Sequence, residues 1–349
     1  MDNSGFFAYL ASVAIKKYHA SQHALFFARF ILISLTTIFT SNDIVILTFT
    51  PFIIYLSKKG KINPIPYLIM EFVAGNSFSM LLEIGNPTNI FLSLAYNISF
   101  LDDLLSMALP SRRIGMSSLL ILLFLFRKDL KKPILDFDVA PHPIEDPLLM
   151  WVSLIHLTVT IILLALANFL GFEMWLITAI FALTMTLFLA VYSLIKKKNH
   201  IGHTFIRLPY SLIPFILSMF VLIMGMDATG LFAQIGAVLN GIANPLLQGW
   251  AYLFASTLSC NLVNNIPMTL MFSRILDGNL VSVYATIIGS NLGALLTPIG
   301  ALAGIMWMGI LKEKHIDFSF KKFMLYGLPI TGFLLLVAMG GIAFLTRIH

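Results

Sequence analysis

The chain has 349 residues, 58% of them hydrophobic and 11% charged, with a mean hydropathy of +0.91. Soluble globular proteins carry about 25% charged residues, so these charges cannot cover a water-facing surface, which excludes a soluble enzyme, a nucleic-acid binder and a disordered chain. A multi-pass membrane protein remains.

In chain order, the first apolar stretch is 24–57. Ser41-Asn42-Asp43 splits it into FILISLTTIFT and IVILTFTPFIIYLS. A spanning helix needs about 20 apolar residues; each piece is shorter, which predicts a re-entrant hairpin. Residues 64–98 read as a helix broken at Gly85-Asn86-Pro87-Thr88-Asn89, followed by a spanning helix over about 113–126. Four further runs, 148–169, 174–195, 208–226 and 323–346, span without strain. A second hairpin is predicted over about 249–273. Residues 278–311 contain no charge across 34 positions. As one helix they would extend about 51 Å, against a hydrocarbon core of about 30 Å. Gly289-Ser290-Asn291 and Thr297-Pro298-Ile299-Gly300 therefore mark a second broken helix. Non-helical backbone at membrane depth is tolerated only where protein or a wet cavity satisfies it, so such breaks are where a transport site is expected.

The chain repeats itself. MDNSGFFAYL at 1–10 matches MDATGLFAQI at 226–235, Ser41-Asn42-Asp43 matches Val263-Asn264-Asn265, and Gly85–Asn89 matches Leu296–Gly300. Lysines and arginines supply the relative orientation of the copies. Lys16, Lys17, Lys58, Lys59 and Lys61 flank the first hairpin, whereas its counterpart lies in an uncharged stretch of 46 residues from Ala228 to Ser273. With Arg127, Lys128, Lys131, Lys132, Lys196–Lys198, Arg207, Lys312, Lys314, Lys321 and Lys322, these clusters hold 17 of the 22 basic residues, as the positive-inside rule expects of cytoplasmic loops. Arg112 and Arg113 fall on the outer side in this scheme. The predicted fold is an all-α membrane protein, an inverted-repeat secondary transporter with two re-entrant hairpins and two broken helices. Its divisions are 1–127 (first repeat), 128–207 (a linker with two transmembrane helices) and 208–349 (second repeat). A spanning helix precedes MDATG but none precedes MDNSG, so Met1 is expected to be an internal methionine of a longer ancestral protein, through truncation or a misplaced start. The single cysteine, Cys260, excludes a disulfide framework and a multi-cysteine metal site, and no signal peptide is expected.

FTSNDIVILTFTPFII, EIGNPTNIF, LVNNIPMTLM and IGSNLGALLTPIGALAGIMW resemble the signature segments of the ion transporter superfamily. That group includes arsenite/antimonite permeases, sodium/proton antiporters and citrate or dicarboxylate carriers, and the resemblance is strongest to the arsenical pump membrane protein branch. It implies a cell-membrane transporter rather than an enzyme. Three features depart from that branch: Asn291 stands where Asp is usual, Gly293-Ala294-Leu295 where Gly-Pro-Lys is usual, and additional helices are usual ahead of the position matching Met1.

Site residues follow from both lines of reading. Asp43, at a hairpin tip, is a costly intramembrane carboxylate and functional by default; the alternative is that it caps the next helix. Ser41, Asn42, Asn264, Asn265 and Asn291 offer amide and hydroxyl groups suited to a neutral oxyacid or, through carbonyl oxygens, to Na⁺. Gly85, Asn86, Pro87, Thr88, Asn89, Thr297, Pro298 and Gly300 unwind their helices. Glu83 and Glu71 are further candidates, beside Asp43, for carrying a coupling proton or ion, although Glu71 could instead pair with Arg29. His156 reads as a hydrogen-bonded interior residue and Cys260 as a packing residue, since one thiol cannot chelate As(III).

The expected function is alternating-access transport of a small ion or oxyacid, foremost arsenite/antimonite-type efflux. A sodium- or proton-coupled citrate or dicarboxylate carrier, a sodium/proton antiporter and a truncated non-transporting remnant are the alternatives. No cofactor or metal is expected beyond Na⁺ or H⁺ as coupling ion. The expected partners are the substrate, the lipid bilayer and a second copy in a homodimer, with no nucleic acid. Without a phosphate-binding Gly-rich loop, any ATP drive would come from a separate ATPase subunit.

Overall fold

The computed structural model describes residues 21–133, 143–197 and 212–349, together with Ser4, Phe6, Tyr9, Gly202 and Tyr210. Most of the MDNSG segment lies outside the described residues. The described elements are helical, as expected for a chain that must satisfy its backbone without water. In order they are α1 (Gln22–Phe39), α2 (Asn42–Lys59), α3 (Ile65–Phe78), a 3₁₀ turn at Glu83–Gly85, α4 (Pro87–Ala95), α5 (Phe100–Leu125), α6 (Pro147–Leu170) and α7 (Met174–Lys196). Then follow α8 (Leu212–Asp227), α9 (Leu231–Asn240), α10 (Pro245–Val263), α11 (Asn265–Ile275), α12 (Leu280–Gly293), a 3₁₀ turn at Pro298–Gly300, α13 (Leu302–Glu313) and α14 (Phe320–Ile348).

Two compact units are present. One comprises 1–17, 99–101 and 139–215; the other comprises 18–98, 102–138 and 216–349. In the first, α6 packs on α7. Asp146 caps α6 by accepting the Leu149 N–H at 3.0 Å and also accepts the Tyr192 hydroxyl of α7 at 2.9 Å. His156 lies 3.1 Å from Thr184 Oγ1, edge-on to Phe181; the hydrogen bond expected of it is present, but the residue is half-buried rather than interior. Trp151, Ile155, Val159, Ile162 and Leu166 form an exposed stripe at helical spacing along α6, and Leu183, Leu187, Val191 and Leu194 do so along α7. Such stripes face lipid, since in water they would aggregate.

The second unit holds the remaining helices. Five described helices in the two units are long and apolar enough to cross a bilayer: α1, α5, α6 over Pro147–Leu164, α7 over Trp175–Lys196, and α14. The bent pair Leu217–Asp227 and Leu231–Asn240, at 78°, would make a sixth if counted as one span. Among these, α1 runs 18 residues, longer than the short hairpin arm expected, because Gln22 and Arg29 are buried within it rather than ending it. Likewise α5 begins at Phe100, not near 113. Asp102 and Asp103 occupy its first turn, where the helix dipole favours carboxylates, and Arg112 and Arg113 are exposed within the helix.

One order of elements occurs twice: two helices meeting at a one- or two-residue break, two helices joined through a 3₁₀ turn, then a long helix. It covers 22–125 and 245–348. The register differs from that read by residue type. Ser41 and Asn264 are the corresponding N-caps, so Asn42 pairs with Asn265 rather than with Asn264. Ile65 and Leu280 open helices of 14 residues, and Gly85 and Gly300 close the 3₁₀ turns that follow, each pair 215 apart. Matching the prolines misaligns the two copies, because Pro87 starts α4 whereas Pro298 starts the 3₁₀ turn.

Helices α3 and α12 are buried over nearly their whole length and touch each other. The most extensive helix contact among the described elements is α10 on α12. It depends on small residues: a Cβ at Gly293 would collide with the Cys260 sulfur and lie 2.8 Å from the Thr257 carbonyl oxygen. Small residues at such seams let backbones approach in a medium that gives no hydrophobic drive for association. Cys260 is thus a packing residue. Gly293→Ala should destabilise the protein by about 1–3 kcal/mol, read as a lower midpoint of thermal unfolding in detergent. Adding Cys260→Ala should not restore it, because the Thr257 carbonyl stays in the way; full recovery would show that only the sulfur mattered.

Candidate functional site

The site forms where α3 and α12 end. Each helix carries an asparagine in its last turn, Asn76 and Asn291, whose Nδ2 donates back to the carbonyl four residues earlier, Phe72 at 2.8 Å and Ile287 at 2.9 Å. These bonds fix both side chains and leave their carbonyl oxygens facing the breaks.

Asn291 is the hub. Its Oδ1 accepts from Ser79 Oγ at 2.8 Å and Asn86 Nδ2 at 3.0 Å, while its Nδ2 also donates to Asn89 Oδ1 at 2.9 Å. Beside it, Ser290 Oγ donates to Thr88 Oγ1 at 3.1 Å. The end of α12 is thereby tied to the break in the first copy. Within that break, Asn86 caps α4 by accepting the Thr88 N–H at 3.1 Å. Asn89 Nδ2 reaches the Ser79 and Leu82 carbonyls at 2.9 and 3.4 Å. Pro87 is the first residue of α4, where its missing N–H has no helical acceptor to lose. A Cβ at Gly85 would overlap the Ser79 carbonyl, so the turn can close only on glycine.

The first hairpin tip meets this network through Asn42, whose Nδ2 donates to Asn76 Oδ1 at 3.1 Å and whose Oδ1 accepts the Asp43 N–H at 2.9 Å. Ser41, not Asp43, caps α2, its Oγ accepting the Ile44 N–H at 3.4 Å. Asp43 is half-buried in the first turn of α2, where the positive end of the helix dipole favours an anion.

The second hairpin tip meets the second break. Asn264 Nδ2 donates to the Ile299 carbonyl at 2.9 Å. Asn261 Nδ2 donates to the Gly293 carbonyl at 2.9 Å, and Thr297 Oγ1 donates to Asn261 Oδ1 at 2.7 Å. Pro298 and Gly300 form the buried ends of the 3₁₀ turn. Asn265 is buried, and its Oδ1 has no hydrogen-bond partner. Asn264 sits at φ +77°, ψ 156°, a conformation nearly confined to glycine that costs about 1–3 kcal/mol and clusters at functional sites.

The hydrogen-bonded groups at the two breaks thus include Asn42, Asn86, Thr88, Asn89 and Asn291 at the first and Asn264 and Thr297 at the second, all expected from the sequence, and add Asn76, Ser79 and Ser290 to the one and Asn261 to the other. Asn76 becomes visible from Asn291 once the two breaks are aligned on Ile-Gly, which places those asparagines in register. Glu83 opens the first 3₁₀ turn, buried, with Oε2 unpartnered and Asp103 of α5 close enough to interact electrostatically. Glu71 is elsewhere on α3, accepting from Thr50 Oγ1 at 2.9 Å. No ion pair joins it to Arg29, whose guanidinium lies over the Tyr67 ring at 4.7 Å. The Arg29–Glu71 bridge weighed from sequence is therefore not formed.

Two interrupted helices whose polar backbone is met by side-chain amides, in a chain with lipid-facing stripes, are what a solute pathway through a bilayer needs. The citrate transporter family profile matches residues 1–283. The chain belongs to that family. It is also similar to the arsenical pump membrane protein of Escherichia coli (strain K12), 26% identical over 371 residues covering 98% of this chain and 82% of that protein. A putative arsenical pump membrane protein of Bacillus subtilis (strain 168) is 25% identical over 93% of the chain and 79% of its own length. An uncharacterized transporter of Synechocystis sp. is 25% identical over 87% of the chain and 73% of its own length. This member of the citrate transporter family is accordingly a multi-pass membrane secondary transporter.

The strain at Asn264 gives an ordering of variants. Asn264→Ala loses the bond to Ile299 and keeps the strained φ, whereas Asn264→Gly loses the bond and relieves the strain. Alanine should lower the unfolding midpoint by more than glycine does, and the reverse order would contradict the conformation described.

Proposed function

We propose that this transporter exports arsenite- or antimonite-type trihydroxides by alternating access between two inverted copies of the repeated unit. The observation that carries the reading is the composition of the hydrogen-bonded groups at the breaks: amides and hydroxyls, with carboxylates only beside them, Asp43 in the first turn of α2 and Glu83 in the first 3₁₀ turn, and no lysine or arginine among the hydrogen-bonded members. A neutral trihydroxide both donates and accepts hydrogen bonds, and amides answer both without the electrostatic cost of a buried charge. The names of the relatives, arsenical pump membrane proteins, point the same way. Cargo would enter by replacing amide–amide bonds of the network with amide–hydroxyl bonds, so its entry need not leave a buried amide unpaired. Asp43 would bind the coupling ion, Na⁺ or H⁺.

A second reading, a cation-coupled citrate or dicarboxylate carrier, is favoured by the family's name. The N-termini of α2, α4 and α11 at the breaks could hold carboxylates without basic side chains.

The test is arsenite content and resistance in a sensitive strain expressing the full chain. Wild type should lower cellular arsenite, and Asp43→Ala and Asn291→Ala should abolish the effect at equal membrane abundance. Citrate uptake that depends on Na⁺ or H⁺, without any change in arsenite, would replace this reading by the second.

A further inference from the structure

A group of buried polar atoms lies away from the asparagine network, on the earlier part of α3. Glu71 is five residues before Asn76, about 7.5 Å along the helix axis, and is fully buried. Its Oε1 accepts from Thr50 of α2, while Oε2 has no hydrogen-bond partner. Facing it from α1 is Arg29, buried to 3% exposure, with neither terminal guanidinium nitrogen hydrogen-bonded. From α13 comes Trp307, fully buried, its indole N–H close enough to act on the Glu71 carboxyl but outside good hydrogen-bond geometry. The groups acting on Glu71 are thus Thr50, Trp307 and Arg29. Tyr67, one turn earlier on α3, is the other titratable group present, and its hydroxyl is engaged by Gln22 Oε1 at 3.1 Å.

An ionised carboxylate and a guanidinium buried close enough to interact would be expected to close into a bidentate pair, because each alone bears a large desolvation cost. Here they stay apart. The guanidinium rests on the Tyr67 ring at 4.7 Å, which partly compensates its charge, and the carboxyl keeps only the Thr50 hydroxyl. This geometry fits a carboxylic acid rather than a carboxylate at position 71: neutral Glu71 has no claim on Arg29.

We propose that Glu71 is a proton-binding site of this transporter, separate from Asp43, and that Arg29 is the internal counter-charge that replaces the proton. In the arrangement seen, Glu71 holds the proton and Arg29 stacks on Tyr67. When the O–H bond breaks and the proton passes to water, the carboxylate takes the guanidinium, which leaves the ring. Glu71 touches α2 through Thr50 and adjoins Trp307 of α13, so the exchange moves contacts between helices of both copies of the repeat. Its use in transport rests on the reading of the chain as a coupled transporter; the proton site itself does not.

The test is infrared difference spectroscopy of the purified full chain in lipid, between acidic and alkaline buffer, with no substrate added. Wild type should show a protonated-carboxyl C=O band that Glu71→Gln removes. Glutamine imitates the neutral form, so this variant should remain folded. Thr50→Val should move the band to higher frequency, because a hydrogen bond to the carboxyl is lost, and it decides the matter if the glutamine variant does not fold. Arg29→Met should move the pH at which the band disappears. Spectra of Glu71→Gln and Thr50→Val that superimpose on wild type would overturn the proton site, and an unmoved midpoint in Arg29→Met would overturn the role of Arg29. Failure of wild type to move arsenite would sink the proposed cargo and leave these spectra unaffected.

Discussion

An interrupted helix inside a bilayer exposes backbone groups that water cannot reach, and each left unpaired costs several kcal/mol. In this chain asparagines meet that demand. Asn89 takes the Ser79 and Leu82 carbonyls, Asn261 takes that of Gly293, and Asn264 takes that of Ile299. Asparagine suits the task because one short side chain supplies two donors and an acceptor without charge. Satisfaction crosses the repeat: Asn291, at the end of one copy's helix, is held by Ser79, Asn86 and Asn89 of the other. The break carbonyls are met within each copy, and the side-chain amides join the two breaks into a polar core between helices that are otherwise apolar.

This arrangement explains why the same residues suit a transport site. A network of neutral, mutually exchangeable donors and acceptors can trade one partner for another at little cost, whereas a network of fixed charges cannot. Strain at Asn264 and the unpartnered Asn265 carbonyl oxygen show that the second hairpin tip is held against its own preference. The buried Glu71 and Arg29 lie outside this network of amides, so the proposed proton site and the proposed cargo site occupy different parts of α3.

Much of this is legible in the residues. Long uncharged runs with Gly, Asn and Pro at their centres cannot be single helices in a membrane, so both breaks show in the sequence, as do α6, α7 and α14; the run expected to span over 208–226 is instead the 16-residue α8, which bends by 78° into α9. Boundaries fail where charge is tolerated for a local reason. Asp102 and Asp103 hide the start of α5 because charge reads as the end of an apolar run although both lie in its first turn, and Arg29 makes α1 look shorter than it is. The repeat is recognisable, but its register is not, since matching by residue type treats Ser41 and Asn264 as different although both cap the following helix. Asn76, Ser79 and Asn261 escape notice because they precede the Gly/Pro breaks within ordinary-looking helical sequence. Only the fold shows that their side chains serve the breaks.

The most direct test of the central claim is a double-mutant cycle on Asn86→Ala and Asn291→Ala, read by thermal or denaturant unfolding of the purified protein in lipid. Each single change also loses local bonds, such as the Asn86 cap on α4, and the cycle cancels these. If the two breaks hold each other through this amide pair, the coupling energy should be about 1 kcal/mol or more. Strictly additive losses would mean that each break is satisfied within its own copy, and would contradict the mutual support of the two breaks.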